Sequence, residues 1–384
     1  MRVQAPRAFL IRGDQNGRTK RERRLKRQLE LVDLSKLVPT SWTTVAINGT
    51  FMLLILYTLY LARSVIQPIV MAIFLSFLLR PLVRKLAKWG LPTPIGASAV
   101  MLVFLSMVIV GVMLLAEPAN QWMNRAPESL PEIQHKLDQF LRSAPHVTNA
   151  AAQVEKIAEG RRDQSIQTVE FKSPGLMSTV LMGTKTILGG AVITLGFLYF
   201  LLAAGDLFMR RWVESVQTLT QKKRAVAISH ALVQTLSTYL VTVTIVNVGL
   251  GIATGCMMAA LQMPSPILWG VLGGVLNFIP YLGALIGVSI LGVVGLLHFD
   301  SVGYALLAPL SYWVLTVVES GFISPILFGR QFELNPVMIF GSLVFWGWLW
   351  GIPGTLLAVP LLMTLKIICD HSQPLKTLGR FLGR

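Results

Sequence analysis

Charged side chains are scarce in this sequence of 384 residues. Asp, Glu, Lys and Arg together make up 14% of it, whereas hydrophobic residues make up 53%. Soluble domains carry roughly 25% charged residues. The deficit of charge excludes an ordinary soluble domain and predicts an integral membrane protein.

Cysteine is also rare, and patterns of metal ligands are lacking. The two cysteines, Cys256 and Cys369, lie in or beside apolar segments more than a hundred residues apart. A disulfide framework needs several cysteines, and a zinc-type site needs Cys or His at short, regular spacing. His135 and His146 stand in a polar segment without such partners. We therefore expect no disulfide framework, no metal site and no cofactor.

Sequence motifs of nucleotide-binding and hydrolytic enzymes are missing. No G-x-x-x-x-G-K-[ST] loop occurs, because Gly183-Thr184-Lys185-Thr186 has the wrong order and lacks an upstream glycine at the required spacing. Neither H-E-x-x-H nor G-x-S-x-G is present, which removes the commonest membrane peptidases and hydrolases. These absences predict that the protein is not an enzyme and that this chain alone does not use ATP.

Positive charge is abundant in spite of the low charge content, and its position is informative. Of the net charge of +16, +7 lies in residues 1–42, which hold eleven Lys and Arg against four Asp and Glu. In a membrane protein such an excess marks the cytoplasmic side, so it does not indicate a nucleic-acid partner. We expect residues 1–42 to form a cytoplasmic leader, either an amphipathic helix on anionic lipid head groups or a disordered segment.

Apolar segments divide the rest of the chain into membrane and polar parts. Residues 43–116 contain three apolar stretches, which predict three transmembrane helices. Residues 117–182 are polar without a positive excess, which predicts a small extracytoplasmic helical insert. Residues 183–370 form an apolar, glycine-rich core, and residues 371–384 form a basic tail. Both termini are expected on the cytoplasmic side.

Two apolar runs of roughly 32 residues each lie in the last third of the chain. Pro266–Leu297 is interrupted at Asn277–Gly283, and Pro336–Ile368 is interrupted at Trp350–Gly354. As one straight helix each run would extend about 48 Å, whereas the hydrocarbon core of a bilayer is about 30 Å thick. Each run is therefore expected to break, either as a spanning helix with an interruption or as a hairpin that re-enters on the same face.

Together these segments predict an all-α polytopic membrane protein. It should have about eight membrane-embedded helical elements, two of them broken or re-entrant, plus the extracytoplasmic insert. Crossing runs give eight spans, whereas re-entrant runs give six spans and two hairpins. The hairpins are favoured because they place His298 and Asp300 outside and Arg330 inside, in agreement with the positive-inside rule.

The breaks carry a functional indication. Backbone that leaves a helix inside a membrane must be buried in protein or line an aqueous cavity, because lipid offers no hydrogen-bond partner. Corresponding hydrophobic segments broken by Gly and Pro are typical of binding sites in secondary transporters. Two kinked helices of purely structural meaning are the alternative.

Glu319 lies well inside the apolar run Val302–Phe328. A carboxylate at the bilayer centre costs roughly 2.5–3.5 kcal/mol, so such residues usually face the protein interior or a cavity. A proton or a sodium ion can load and unload such a group, and hydrogen bonding to freed backbone is the alternative role. The residues predicted to bind the transported ion or solute are Glu319, Asn277, Pro280, Gly283, Asn335, Pro336, Gly351, Pro353 and Gly354.

The polar, Gly and Pro residues of the C-terminal half follow one another in a specific order. They are Asn277, Ile279, Pro280, Gly283, Glu319, Pro325, Gly329, Asn335, Pro336, Gly341, Gly347, Gly351, Gly354, Ala358 and Pro360, after Asp206 at the end of the fourth apolar span. This order, over about residues 45–370, resembles the AI-2E transporter family. Structural roles are expected for Asp206, Pro325, Gly329, Gly341, Gly347 and Pro360.

The resemblance implies a multi-pass exporter of the bacterial inner membrane. It further implies contact with the lipid bilayer and assembly as a homo-oligomer, with a ring of five as one form. The resemblance does not fix the substrate, and an autoinducer-2-like signal or another small metabolite is expected. The breaks and Glu319 predict that a proton or sodium gradient drives the export. A sodium/proton antiporter and a membrane scaffold without transport activity are the alternatives.

Overall fold

The computed structural model describes residues 42–128, 136, 176–205, 211, 214–215, 218–328, 334–372 and 376–383. Within these residues the regular secondary structure is helical, without a β-strand. Six of the described helices are long and apolar enough to cross a membrane. The predicted class, an all-α polytopic membrane protein, is thereby confirmed. Outside the described residues lie the leader up to residue 41, residues 129–135 and 137–175 of the insert, Asp206, Gly329 and Arg330.

Helix α1, Trp42–Leu61, belongs to the first of two compact units, and the second begins at Ala62. None of the residues of α1 is buried. The hydroxyls of Thr50 and Thr58 donate to backbone carbonyls four residues earlier, both at 2.8 Å. Because these hydroxyls are satisfied within the helix, the apolar faces of α1 can contact lipid without a polar penalty.

The second unit opens with three helices that pack together. They are α2 (Arg63–Lys88), α3 (Thr93–Glu128) and α4 (Leu176–Ala203). Their shared apolar cluster consists of Ala72, Leu79, Val83, Ala97, Val100, Leu198 and Leu202. Helix α3 has 36 residues, which corresponds to about 54 Å, so it is longer than the hydrocarbon core and continues into the segment predicted as the polar insert.

The C-terminal half contains a long helix followed by a series of shorter ones. In chain order they are α5 (Leu219–Ala260), α6 (Pro266–Leu276), α7 (Leu282–His298), α8 (Val302–Ala305), α9 (Leu307–Val318), a π-helical turn (Glu319–Ile323), α10 (Ser324–Phe328), α11 (Pro336–Trp350), α12 (Ile352–Asp370) and α13 (Lys376–Leu382). Helix breaks therefore occur in both apolar runs, at the Gly and Pro residues that predicted them.

Glycines bring α5 and α6 into backbone contact. Gly251 and Gly255 of α5 face Gly270 and Gly274 of α6. A Cβ atom on Gly270 would lie 2.6 Å from the carbonyl oxygen of Gly251, so only glycine fits there. Small residues at spacings of four let membrane helices approach closely. This contact holds α6, the first half of the run Pro266–Leu297, against α5.

Helices α6 and α7 form an antiparallel hairpin. Tyr281 at the turn has a left-handed φ of 63°, and Gly283 packs its backbone against the end of α6. Tyr312 of α9 lies between Gly273 and Gly287, and its hydroxyl donates to the Gly273 carbonyl at 3.3 Å. Because one ring contacts a glycine on each side of the turn, the first broken run turns back on itself.

Helices α11 and α12 form a second antiparallel hairpin. Gly351 at the turn has a φ of 69°, in the left-handed region that favours glycine. The Ser342 hydroxyl donates to the Ala358 carbonyl at 2.8 Å, and Gly347 lies beside Thr355. These pairs have the antiparallel register of a hairpin. Both broken runs therefore reverse direction at their breaks, and their re-entry on one face of the membrane stays a prediction.

The last helix, α13, folds back onto the preceding elements. The Asn335 N–H donates to the Leu382 carbonyl at 3.2 Å, and Leu334 forms an isolated antiparallel bridge with Gly383. These contacts join the C-terminal segment to the start of α11. The C-terminal helix is thereby part of the folded core.

Candidate functional site

Glu319 begins a π-helical turn within an otherwise α-helical run. The Ser324 N–H donates to the Glu319 carbonyl, five residues back. Pro325 follows directly, and its ring and missing N–H disfavour a regular α-helical turn just before it. Single π-helical turns inside α-helices are frequent at functional sites. The local sequence thus accounts for the unusual backbone at the buried acid.

The Glu319 side chain is 7% exposed. The Ser324 hydroxyl donates to its Oε1 atom at 2.5 Å. One neutral hydroxyl replaces only a small part of the hydration that a carboxylate loses on burial. A bound proton or cation would supply the missing stabilisation, so the site favours positively charged ligands.

A cavity of about 730 Å³ lies beside Glu319. Its walls come from α5, the tip of the α6–α7 hairpin, the run from α9 to α10, and the α11–α12 hairpin. The polar groups of its described lining are Asn247, Asn277, Thr316, Glu319, Ser320 and Ser324. The aromatic groups of its described lining are Tyr239, Phe278, Tyr281, Trp313 and Phe328. The cavity thus combines a polar region with a large apolar surface, as small-molecule sites do.

Two asparagines connect α5 to the hairpin tip in the cavity wall. Asn277 Nδ2 donates to Asn247 Oδ1 at 2.9 Å. Asn247 is only 3% exposed, and its own Nδ2 has no partner in the part of the chain that the structure describes. An unpartnered buried donor costs about 1–3 kcal/mol. A conformation or ligand that offers an acceptor to this amide is therefore favoured.

Some of the predicted residues lie together in this cavity. Asn277 and Pro280 of the first break line it opposite Glu319 of the π-helical turn. Pro325, which was assigned a structural role, lines it as well. The structure therefore brings the first break and the buried acid into one site.

The other residues predicted to bind lie outside the cavity lining. Gly283 packs against the end of α6. Asn335 accepts a hydrogen bond from the Val337 N–H at 3.0 Å and caps α11, and Pro336 is the first residue of that helix. The turn of the second hairpin contains Gly351, Pro353 and Gly354. A direct binding role for these residues stays a prediction.

The residues assigned structural roles have varied surroundings. Gly347 contacts Thr355 across the second hairpin. Pro360 is buried in α12, and its carbonyl accepts the Thr364 hydroxyl at 2.8 Å. Around Gly341 no described atom lies within 4 Å of a built Cβ position. Packing inside the chain therefore accounts for the glycine at 347 but not for the one at 341.

Asn247 and Ser324 were not among the predicted residues. Asn247 stands within an apolar stretch of α5, and a polar side chain inside a membrane span is itself a signal of function. That signal could have identified it. Ser324 faces Glu319 because the π-helical turn changes the helical register. No simple spacing rule would have paired the two residues.

These features define the class of protein. Six candidate spans, two hairpins within apolar segments and a cavity beside a buried carboxylate are the elements of a multi-pass membrane transporter. The sequence model of the AI-2E family transporters matches residues 50–373. The chain therefore belongs to the AI-2E transporter family, as the order of its Gly, Pro and acidic residues predicted.

Bacterial relatives agree with this assignment. The chain is similar to the AI-2 transport protein TqsA of Escherichia coli K12, with 27% identity over 84% of this chain and 90% of TqsA. It is also similar to YhhT of Escherichia coli K12, with 25% identity over 86% of this chain and 92% of YhhT. YrrI of Bacillus subtilis 168 is 26% identical over 82% of this chain and 88% of YrrI. The candidate spans and these relatives support a multi-pass protein of the bacterial inner membrane.

Proposed function

We propose that this protein is a secondary transporter that exports a small solute and couples export to a proton or sodium gradient. The observation that carries the proposal is the buried Glu319 in a π-helical turn, facing a cavity whose opposite wall is the tip of a broken helix. Broken helices hold the binding sites of many secondary transporters. An ionisable group at such a site can take up the coupling ion on one side of the membrane and release it on the other.

Autoinducer-2 is the first solute that we propose, and another small metabolite is the alternative. Support comes from the name of the relative TqsA, an AI-2 transport protein. The cavity volume of about 730 Å³ also supports a small molecule, since ligand pockets usually measure roughly 300–1,000 Å³. A bare ion needs far less space.

Transport by purified protein in proteoliposomes tests this function. Autoinducer-2 flux driven by an imposed proton or sodium gradient is expected for the native chain. For Glu319→Gln we expect at least a tenfold loss of gradient-driven flux, because the amide has no charge to exchange. Asp370→Asn is the control. The Asp370 carboxylate lies 2.8 Å from the Lys366 ammonium group, and Asp370 is not among the described residues that line the cavity. Full gradient-driven flux in Glu319→Gln would remove this residue from the mechanism.

Sodium/proton antiport is a second candidate function. The oxygen atoms at Glu319 favour it, because they could bind a sodium ion. The carboxylate and the Ser324 hydroxyl are 2.5 Å apart, and hard cations prefer oxygen ligands. Sodium-driven proton movement in solute-free vesicles would support antiport. A membrane scaffold without transport activity predicts no flux of any solute or ion in either assay.

We also propose that both termini lie in the cytoplasm. Arg80, at the end predicted to be cytoplasmic, donates to the Gly205 carbonyl at 2.6 Å. Arg224 donates to the His371 carbonyl, also at 2.6 Å. These two bonds join four segments that are rich in Lys and Arg. The positive-inside rule places such segments on the cytoplasmic side of the membrane. Labelling of single introduced cysteines with an impermeant reagent in intact cells and in lysed cells tests the orientation.

A homo-oligomer, with a ring of five as the specific form, is proposed from the family resemblance. Its expected mass follows from the chain mass of 42.3 kDa. For the ring, native mass spectrometry of protein released from detergent would give a mass five times that of one chain. A single chain mass under conditions that preserve transport would contradict the proposal.

A further inference from the structure

The described lining of the cavity carries charge of one sign. Glu319 is its only charged side chain, and Lys, Arg and His do not occur among the lining residues that the structure describes. The other polar groups there are amides and hydroxyls, which bear no net charge. An anion in this space would meet a carboxylate without a described basic group to offset the repulsion.

Aromatic rings form much of the remaining lining. The rings of Tyr239 and Phe328 lie with centroids 5.9 Å apart, and Trp313 is 52% exposed. All of them line the same cavity. The faces of aromatic rings attract cations, by about 0.5–2 kcal/mol depending on desolvation. They also provide an apolar surface for the body of a ligand.

We propose that the cavity binds an amphipathic organic cation of single charge. Its cationic group lies against Glu319, and its apolar body lies against the aromatic lining. This inference rests on the proposed export of a small solute. It favours the alternative solute, another small metabolite, over autoinducer-2, which carries no positive charge. A cavity of this kind would discriminate against anionic metabolites.

The Glu319 carboxylate would offset the charge of the organic cation in this cavity. The other titratable groups among the described lining are the phenols of Tyr239 and Tyr281, and Tyr312 interacts electrostatically with Glu319. Phenols are uncharged near pH 7. Helices α11 and α12 contribute no titratable group to the described lining.

Two ions of nearly equal size and opposite charge test the proposal directly. Binding of tetraphenylphosphonium and of tetraphenylborate to the purified full chain in detergent is measured by calorimetry. We expect the cation to bind at least tenfold more tightly than the anion, which corresponds to about 1.4 kcal/mol.

Variants at position 319 provide the matched controls. Glu319→Gln should lose the preference for the cation, and Glu319→Asp should keep it, because the charge remains. If Glu319→Gln does not fold, the comparison of the two ions on the native chain still decides. Equal binding of both ions to the native chain would overturn the inference.

The same probes separate this inference from the proposed function. Cation binding without flux in proteoliposomes would contradict transport and leave the ligand class standing. Gradient-driven flux of autoinducer-2 without any preference for tetraphenylphosphonium would contradict the ligand class and leave transport standing.

Discussion

At the scale of single residues, the core depends on a small number of polar side chains in an apolar setting. Glu319, Asn247 and Thr316 are all less than 9% exposed. Glu319 has the Ser324 hydroxyl as a partner, and Asn247 has the Asn277 amide. A polar group without a partner would be costly in a membrane, because neither lipid nor apolar side chains can replace water. Each pair therefore also fixes the relative position of two segments.

The hydrogen bond between Asn247 and Asn277 should contribute measurably to stability. We predict a coupling energy of about 0.6–1.7 kcal/mol, the range measured for hydrogen bonds between membrane helices. A double-mutant cycle of Asn247→Ala and Asn277→Ala, followed by reversible unfolding in detergent, gives this value. The control cycle pairs Asn277→Ala with Thr50→Ala, whose hydroxyl bonds within its own helix. Strictly additive effects in the asparagine cycle would argue against the bond.

At the scale of helices, the arrangement depends on close backbone contact in one hairpin and on a register change in the neighbouring run. The α6–α7 hairpin is held on one side by the glycines of α5 and on the other by the Tyr312 ring. Glu319 of the π-helical turn lines the same cavity as the tip of this hairpin. Movement of the hairpin would thus change the surroundings of the acid. The ion-coupled transport proposed above would need such a link between a helical element and the acid.

The contact between α5 and α6 should not tolerate a methyl group. A Cβ atom on Gly270 would meet the backbone of Gly251 at 2.6 Å, and backbone cannot rotate away. We predict that Gly270→Ala destabilises the protein by about 1–3 kcal/mol, as overpacking does. Gly249→Ala is the matched control, because among the described residues no atom outside its own stretch of helix lies within 4 Å of its Cβ position. Thermal unfolding in detergent compares the two variants, and equal melting temperatures would refute the prediction.

At the scale of the whole molecule, the C-terminal segment reaches the wall of the cavity. Leu334 lines the cavity and forms a backbone bridge with Gly383. Leu382 of α13 is 5% exposed, and its carbonyl accepts the Asn335 N–H. The last helix therefore holds one wall of the cavity in place. Loss of its packing should make the cavity more accessible from that side.

A matched pair of substitutions in α13 tests this role. Leu382→Asp buries a charge and should detach the helix, whereas Phe381→Asp changes a side chain that is 63% exposed. We predict that Leu382→Asp raises the labelling rate of Met363→Cys, a cavity position, by about tenfold or more. The measurement uses a water-soluble maleimide in a background in which Cys256 and Cys369 are serine. Equal rates in the two variants would show that α13 does not cover the cavity.

The sequence by itself determined the class of protein, the positions of the breaks and the most informative acidic residue. Hydropathy over tens of residues shows which segments can lie in lipid. Left-handed backbone at Gly351 and the ring of Pro325 are local requirements, so residue types reveal them directly. Glu319 was identifiable for the same reason, because a carboxylate in an apolar run is costly wherever the run packs. The order of these residues also sufficed to predict the family.

Only the tertiary structure decided which residues share the cavity. Asn247 and Ser324 belong to the site because of packing between segments and a register change, and neither follows from local composition. Asn335 and Gly354 follow the same local rules as the lining residues, yet they lie outside the cavity. Reversal of both broken runs likewise depends on contacts such as Tyr312 between two glycines. Contacts between segments distant in sequence set the site, and hydropathy and residue type carry no information about those distances.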